Sequence, residues 1–217
     1  MQDYYAARAT QYDEIYHKPE RQADLRHLES WLADKFSARS VLEMACGTGY
    51  WTHFYAPHAT RVLGIDAAPE TLAIARQRMP LAKFPQVELQ IGDAYRPPKH
   101  DATNQAFDGT FAGFWWSHIP LERIPTFLKN FHAVLSPGTR VVFIDNRYVP
   151  GSSTAISERD STGNTYQQRV LADGSTHRIL KNFPERDALL QAVAPWAHTS
   201  QHHVCTYYWA LEYELHR

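Results

Sequence analysis

Glu43, Asp66 and Asp93 each stand where an apolar run gives out: Val41-Leu42 before the first, Val62 to Ile65 before the second, Val87 to Ile91 before the third. Acids at strand ends face the crevice in which open α/β sheets take their ligands. After Glu43 comes Cys46-Gly47-Thr48-Gly49-Tyr50-Trp51-Thr52, a turn whose glycines, lacking Cβ, let a ligand approach the backbone. Asp66 follows Gly47 by nineteen residues, the interval at which a carboxylate meets the hydroxyls of a ribose held over such a turn. A nicotinamide dinucleotide needs a third glycine, and Thr52 stands in its place. Glu43 beside the turn repels a pyrophosphate but suits an ammonium, while Gly92-Asp93-Ala94 offers a carboxylate and a backbone amide to an adenine. S-adenosylmethionine, a nucleoside bearing an amino acid, meets all of these requirements.

Three further groups are candidates for the methyl acceptor's site. The first is Tyr5, Arg8, Tyr12 and Tyr16 in the amino-terminal segment, where residues 1–36 are expected to form a helical lid. The second is Phe114-Trp115-Trp116-Ser117-His118. Imidazole titrates near neutrality, so His118 is the candidate general base, or a hydrogen-bond partner of an acceptor that is already anionic. The third is Arg169, Arg178 and Lys181, which strand alternation is expected to bring close together. A roof of these cations would hold a phosphonate, phosphate or carboxylate, with arginine giving bidentate geometry.

These residues need a scaffold, and the pattern supplies one. Helical spacing over 22–36 (Leu25, Leu28, Trp31, Leu32) leads into the Val41 strand, and Pro69 opens a helix after the strand Arg61 to Asp66. Strands at Val87 to Ile91, Phe107 to Phe114 and Arg140 to Asp145 continue the alternation, with a helix from Leu121 to Leu135 and Ser136-Pro137-Gly138 between the last two. This predicts a doubly wound, Rossmann-like α/β fold: a seven-stranded, mainly parallel sheet covered on both faces. Asp173-Gly174 between Tyr166 to Leu171 and Ser175 to Leu180 signals a β-hairpin, expected within an insertion over 150–182. A helix near Pro184 to Val193 and strands near Ala197 to His203 and Cys205 to Leu215, the last antiparallel, complete one expected domain over 1–217.

Composition narrows the partners. A net charge of -1 from 22 basic and 23 acidic residues gives no field to draw in nucleic acid or an anionic membrane. No stretch of eighteen apolar residues occurs, and two distant cysteines, Cys46 and Cys205, point to a reducing compartment, so a cytoplasmic protein is expected. Twelve histidines, His202-His203 among them, show no metal-ligand spacing, and no metal is expected.

The set from Glu43 to Gly49, with Asp66, Asp93 and the Pro137-Gly138 turn, resembles the class I S-adenosylmethionine-dependent methyltransferases over roughly 41–145. The resemblance implies S-adenosylmethionine as cofactor and S-adenosylhomocysteine as product. It implies cofactor contacts at Tyr12, Glu43, Ala45, Gly47, Gly49, Trp51, Asp66, Ala67, Asp93, Ala94 and Phe114, and acceptor contacts at Tyr5, Arg8, Tyr16, Trp115, His118, Arg169, Arg178 and Lys181. Cys46 departs from the pattern, where many members carry glycine. Tyr4 to Asp13, Trp115 to Pro120 and the hairpin around Asp173-Gly174 are also similar to bacterial phosphonate O-methyltransferases of the dehydrophos type. Methylation of an anionic oxygen on a small molecule, by a monomer or homodimer, is therefore the leading expectation. Two alternatives stand beside it: N- or O-methylation of an aromatic heterocycle, and nucleotide binding without transferase activity.

Overall fold

The computed structural model describes residues 9–99, 105–171 and 173–216, with the backbone alone for 9–12 and His198. Five parallel strands form the body: β1 (Ser40–Met44), β2 (Arg61–Asp66), β3 (Val87–Ile91), β4 (Gly109–Gly113) and β5 (Arg140–Asn146). Between them run α1 (Gln22–Lys35, before β1), α2 (Tyr50–Tyr55), α3 (Pro69–Arg78) and α4 (Ile124–His132). Pro69 occupies the first turn of α3, where its missing N–H costs nothing. The expected helix over 121–135 divides into a 3-10 turn, Leu121–Arg123, and α4, with Pro125 at its start.

After β5 the chain leaves the sheet. Strands β6 (Glu158–Arg159), β7 (Thr165–Val170) and β8 (Thr176–Leu180) form a separate antiparallel sheet, in which β7 and β8 are the expected hairpin. Gly174 takes a φ of 82°, and Asp173 Oδ1 accepts from Ser175 N at 2.9 Å, so the Asp-Gly pair turns the chain as its types require. Helix α5 (Arg186–Val193) leads to β9 (Ala197–Val204) and β10 (Tyr208–Leu215). The main sheet has the order β3-β2-β1-β4-β5-β10-β9, and β10 lies antiparallel to both neighbours.

Each strand divides its side chains between two cores. Val41, Val62, Val142 and Ile144 join one cluster with Leu25, Leu28, Trp51 and Tyr55; Leu42, Leu63, Val141 and Phe143 join the other with Phe127, Phe131 and Leu189. A sheet covered in this way leaves its strand ends as the open edge. The order reverses between β1 and β4, so the crevice opens beyond their carboxyl ends. Among the described residues, no helix is long and apolar enough to cross a membrane.

Candidate functional site

Two cavities open at that edge. The first, about 280 Å³, is walled by Ala45 and Gly47 after β1, Asp66 to Ala68 after β2, Gly92 to Tyr95 after β3, and Gly113 to Trp115 after β4. Asp66 is fixed from both sides: Oδ2 accepts from Gly47 N at 2.8 Å, and Oδ1 from Ala68 N at 2.9 Å and Thr71 Oγ1 at 3.1 Å. Burial raises its pKa against the pull of these bonds. Asp93 lies across the cavity, its Oδ1 accepting from Tyr95 N at 2.9 Å. Ala45 (φ 52°) and Phe114 (φ 55°) hold the left-handed conformation that non-glycine residues rarely adopt. Strain of this kind concentrates where a chain must present its backbone to a ligand.

Cofactor-site expectations at Ala45, Gly47, Asp66, Ala67, Asp93, Ala94 and Phe114 thus come together in one cavity. Three others are placed differently. Glu43 does not reach the cavity: its Oε2 accepts from Thr52 Oγ1 and Tyr55 Oη, both at 2.6 Å, beneath α2. Attraction between Glu43 and a cofactor ammonium is therefore replaced by a buried tether holding the helix that follows the turn. Gly49 (φ 71°) caps α2 and packs on α3, where an added Cβ would lie 2.5 Å from Met79 Cε and 3.2 Å from Ala75 Cβ. Trp51 is buried edge-on to Phe114 at 5.8 Å and to Phe111 at 6.3 Å, backing the wall instead of lining it. Gly49→Ala is expected to cost about 1–3 kcal/mol in urea unfolding, from left-handed backbone and overpacking together.

Burial raises the Glu43 pKa to about 7. The unfolded carboxyl titrates near 4.3, so between these values the folded state binds the extra proton, and stability falls as pH rises through that window. Relative to Glu43→Gln, the native protein is expected to lose up to about 3 kcal/mol between pH 4.5 and 7. Denaturation of both proteins across that range measures the difference.

The second cavity, about 480 Å³, shares Phe114 and His118 with the first. Phe114 lies stacked between Tyr16 and Tyr208, at 5.5 and 5.6 Å. His118 is buried, and its Nδ1 lies 2.7 Å from Leu180 O. A carbonyl only accepts, so Nδ1 carries the proton. Burial and the Lys181 ammonium hold the imidazole pKa well below its usual value, so the ring is neutral with a lone pair at Nε2. Lys181 Nζ donates to Ser117 Oγ at 2.6 Å and Asp145 Oδ1 at 3.0 Å, and Ser117 N donates to Asp145 Oδ2 at 2.9 Å. Burial pushes the Asp145 pKa up, but Lys181, His118 and the backbone N–H groups of Ser117 and Asn146 together outweigh it and hold the carboxyl below its usual range.

Arg169 lines this cavity, bonded through one N–H to Gln167 Oε1 at 2.9 Å, with its Nε buried and lacking a partner among the described residues. Arg178 does not line it. The register pairs Arg178 with Gln168 and Arg169 with His177, which puts the two arginines on opposite faces of the hairpin. Arg178 instead donates to both oxygens of Glu158 at 2.8 Å and lies over Tyr166 on the exposed face. Trp115 walls the first cavity, not the second. Tyr16 is buried in the core, its ring 3.5 Å from that of Tyr50. Tyr5, Arg8 and the Tyr12 side chain lie outside the described residues.

Sequence reasoning missed Lys18, Arg21, Asn146 and Gln167, all of which line the second cavity. Gln167 was within reach, since alternation from Arg169 selects it. Lys18 and Arg21 carry no local signal: they read as ordinary charges before a helix, and only long-range contacts bring them here. Arg21 donates to Ser152 Oγ at 3.0 Å, Ser152 O at 3.1 Å and Asn146 Oδ1 at 3.1 Å, and Lys18 donates to Ser152 O at 2.5 Å.

The first cavity's lining suits S-adenosylmethionine: two carboxylates at successive strand ends for hydroxyl and amino groups, small apolar residues between them, and nearby the buried indole N–H of Trp115, which lacks a partner among the described residues. Comparison with known proteins agrees. Residues 41–138 match the family model of a methyltransferase domain. The 2-phytyl-1,4-naphtoquinone methyltransferase of Thermosynechococcus vestitus is 35% identical over 109 residues, 49% of this chain and 45% of that protein. The malonyl-(acyl-carrier protein) O-methyltransferase of Serratia marcescens is 27% identical over 137 residues, 63% of this chain and 46% of that protein. The chain thus spans about half the length of the curated relatives it matches. Among solved structures, the DhpI-SAM-HEP complex superposes with a TM-score of 0.76 at 27% identity, covering 97% of this chain and 94% of that one. The DhpI-SAH complex gives 0.77 at 24%, covering 99% and 95%, which speaks to the fold. By its fold, its strand-end cavity and these matches, the chain resembles the class I S-adenosylmethionine-dependent methyltransferases and, among solved structures, DhpI.

Proposed function

We propose that this protein transfers the methyl group of S-adenosylmethionine to an anionic oxygen of a small acid, a phosphonate or a carboxylate. One observation carries the reading: the second cavity, joined to the cofactor cavity through Phe114 and His118, is lined by Lys18, Arg21, Arg169 and Lys181 against, among the described residues, a single carboxylate, the exposed Glu14. DhpI, known as a complex with SAM and HEP, supports the choice by its likeness along the chain. In this reading the stretch from Glu14 to Arg21 closes one side of the acceptor chamber and the insertion after β5 roofs it, while α1 packs in the core.

The cofactor supplies an electrophilic methyl on a sulfonium. An acceptor oxygen forms the new C–O bond with its own electron pair while the C–S pair returns to sulfur, so both charges are cancelled and no covalent enzyme intermediate is required. The protein's part is alignment and exclusion of water. Asp66 and Asp93 anchor the nucleoside, Arg169 and Lys181 orient the acid, and Phe114 separates the two ligands at the junction. An anionic oxygen needs no base. Neutral His118 instead accepts the hydrogen of a singly protonated acid, turning the charged oxygen toward the methyl group. Of the aromatic residues that favour a heterocyclic acceptor as the alternative, Tyr16, Trp51 and Trp116 are packed against other core rings and so are not presented to an acceptor.

A panel of simple phosphonates and carboxylates, assayed by release of S-adenosylhomocysteine, tests the proposal. Arg169→Gln is expected to raise the acceptor KM about tenfold to a hundredfold, the worth of one charge-assisted hydrogen bond or slightly more. Turnover of no acid in the panel, or an unchanged acceptor KM in this variant, would overturn it.

A further inference from the structure

The cations of the acceptor cavity come from two separate walls. Arg169 and Lys181 belong to the hairpin side, and Lys181 Nζ lies 6.0 Å from the Phe114 ring at the junction with the cofactor cavity. Lys18 and Arg21 belong to the amino-terminal side, where the Arg21 guanidinium lies 5.3 Å from the Tyr207 ring and 5.7 Å from that of Tyr208. Tyr208 in turn stacks on Phe114 at 5.6 Å, so Arg21 stands one aromatic layer farther from the junction than Phe114 does. Ser152 and Thr154 bridge the walls: Ser152 takes bonds from Lys18 and Arg21, and Thr154 O accepts from Gln167 Nε2 at 2.6 Å.

The walls differ in how their charge is balanced. Lys181 has Asp145 beneath it. Arg21 is buried, yet its bonded partners are a hydroxyl, a carbonyl and an amide oxygen, and neither it nor Lys18 forms an ion pair among the described residues. Glu20 attracts both cations through space without pairing with either, and its Oε1 accepts instead from Ser152 Oγ at 2.7 Å. Keeping a guanidinium dry with its counter-charge held off behind a hydroxyl is costly, and an anion at that wall would offset the cost. The cavity is also far larger than one acidic headgroup: about 480 Å³ is in the range that encloses a whole drug-sized ligand.

Building on the acid-acceptor reading above, we infer that the acceptor is a diacid: one acidic group is methylated beside Arg169 and Lys181, and a second, unreacting one is held by Lys18 and Arg21. The outer pole selects among acids and sets their direction in the chamber, so that only one end meets the methyl group.

Matched pairs of acceptors decide it: ethylphosphonate against 3-phosphonopropionate, and butyrate against glutarate. The native protein is expected to show at least a tenfold higher kcat/KM for the diacid of at least one pair. Arg21→Gln and Lys18→Met should each lower that diacid-to-monoacid ratio at least fivefold, because each removes part of the outer pole, whereas Arg169→Gln should weaken both members of a pair together. Equal efficiency for monoacid and diacid in the native protein, or a ratio that neither outer variant changes, overturns the diacid inference while leaving methylation of acids standing. Methylation of none of the four acids overturns the acid-acceptor reading itself. If neither outer variant folds, the comparison of the pairs in the native protein is decisive alone.

Discussion

Lys181→Met is expected to lower unfolding free energy by about 3–5 kcal/mol and to remove most acceptor turnover, whereas adding Asp145→Asn should restore much of the stability and little of the turnover. The ammonium and carboxylate are both buried and lie 3.0 Å apart. Removing one partner leaves the other as an unbalanced charge in a dry site, which costs far more than the pair contributes. An asparagine in place of Asp145 is neutral and keeps one acceptor oxygen, enough for Ser117 N or Asn146 N but not for both, so the double variant loses the charge problem but not the missing donor at the acceptor. A double-mutant cycle read by denaturant unfolding, beside kcat/KM on the same four proteins, separates the two effects. Additive losses in stability would show that the pair is not coupled as the geometry requires.

Asp66→Ala is expected to weaken S-adenosylhomocysteine binding by about 3 kcal/mol, roughly a hundredfold in Kd. Asp66 holds the turn at Gly47 and the start of α3 through Ala68 and Thr71, and it presents the carboxylate at which ribose hydroxyls are expected. Asparagine at the same place can keep one acceptor oxygen but not two, so its loss should be intermediate. Calorimetric titration measures both variants, and native-like affinity in Asp66→Ala would remove this residue from the cofactor site.

Much of this architecture was legible before any coordinates. Alternating apolar strands and amphipathic helices announce a covered parallel sheet because each element has only two periods to choose from, and Asp173-Gly174 names its own turn. The cofactor wall was legible too, since Gly47, Asp66 and Asp93 are fixed by strand ends and short turns, which are local. Glu43 shows where that logic fails: its position at the end of β1 was right, but which face of the strand its side chain takes depends on Thr52 and Tyr55. Arg178 fails for a related reason, because one step in register exchanges the faces of a hairpin. Lys18 and Arg21 were invisible, since what brings them to the cavity is Ser152, more than a hundred residues away.

Phe114 has a consequence for how acceptor preference could change over time. Its left-handed backbone and its stacking on Tyr16 and Tyr208 fix the doorway between the two chambers from within the core, and the outer wall meets this support at the Tyr208 ring, beneath Arg21. Exchanges at Lys18, Arg21 or the neighbouring loop can therefore try new cargoes without moving the spot where the methyl group is handed over. Transfer geometry and cargo choice are separately heritable traits in such a plan, and relatives are expected to diverge first in the outer wall and last at the doorway.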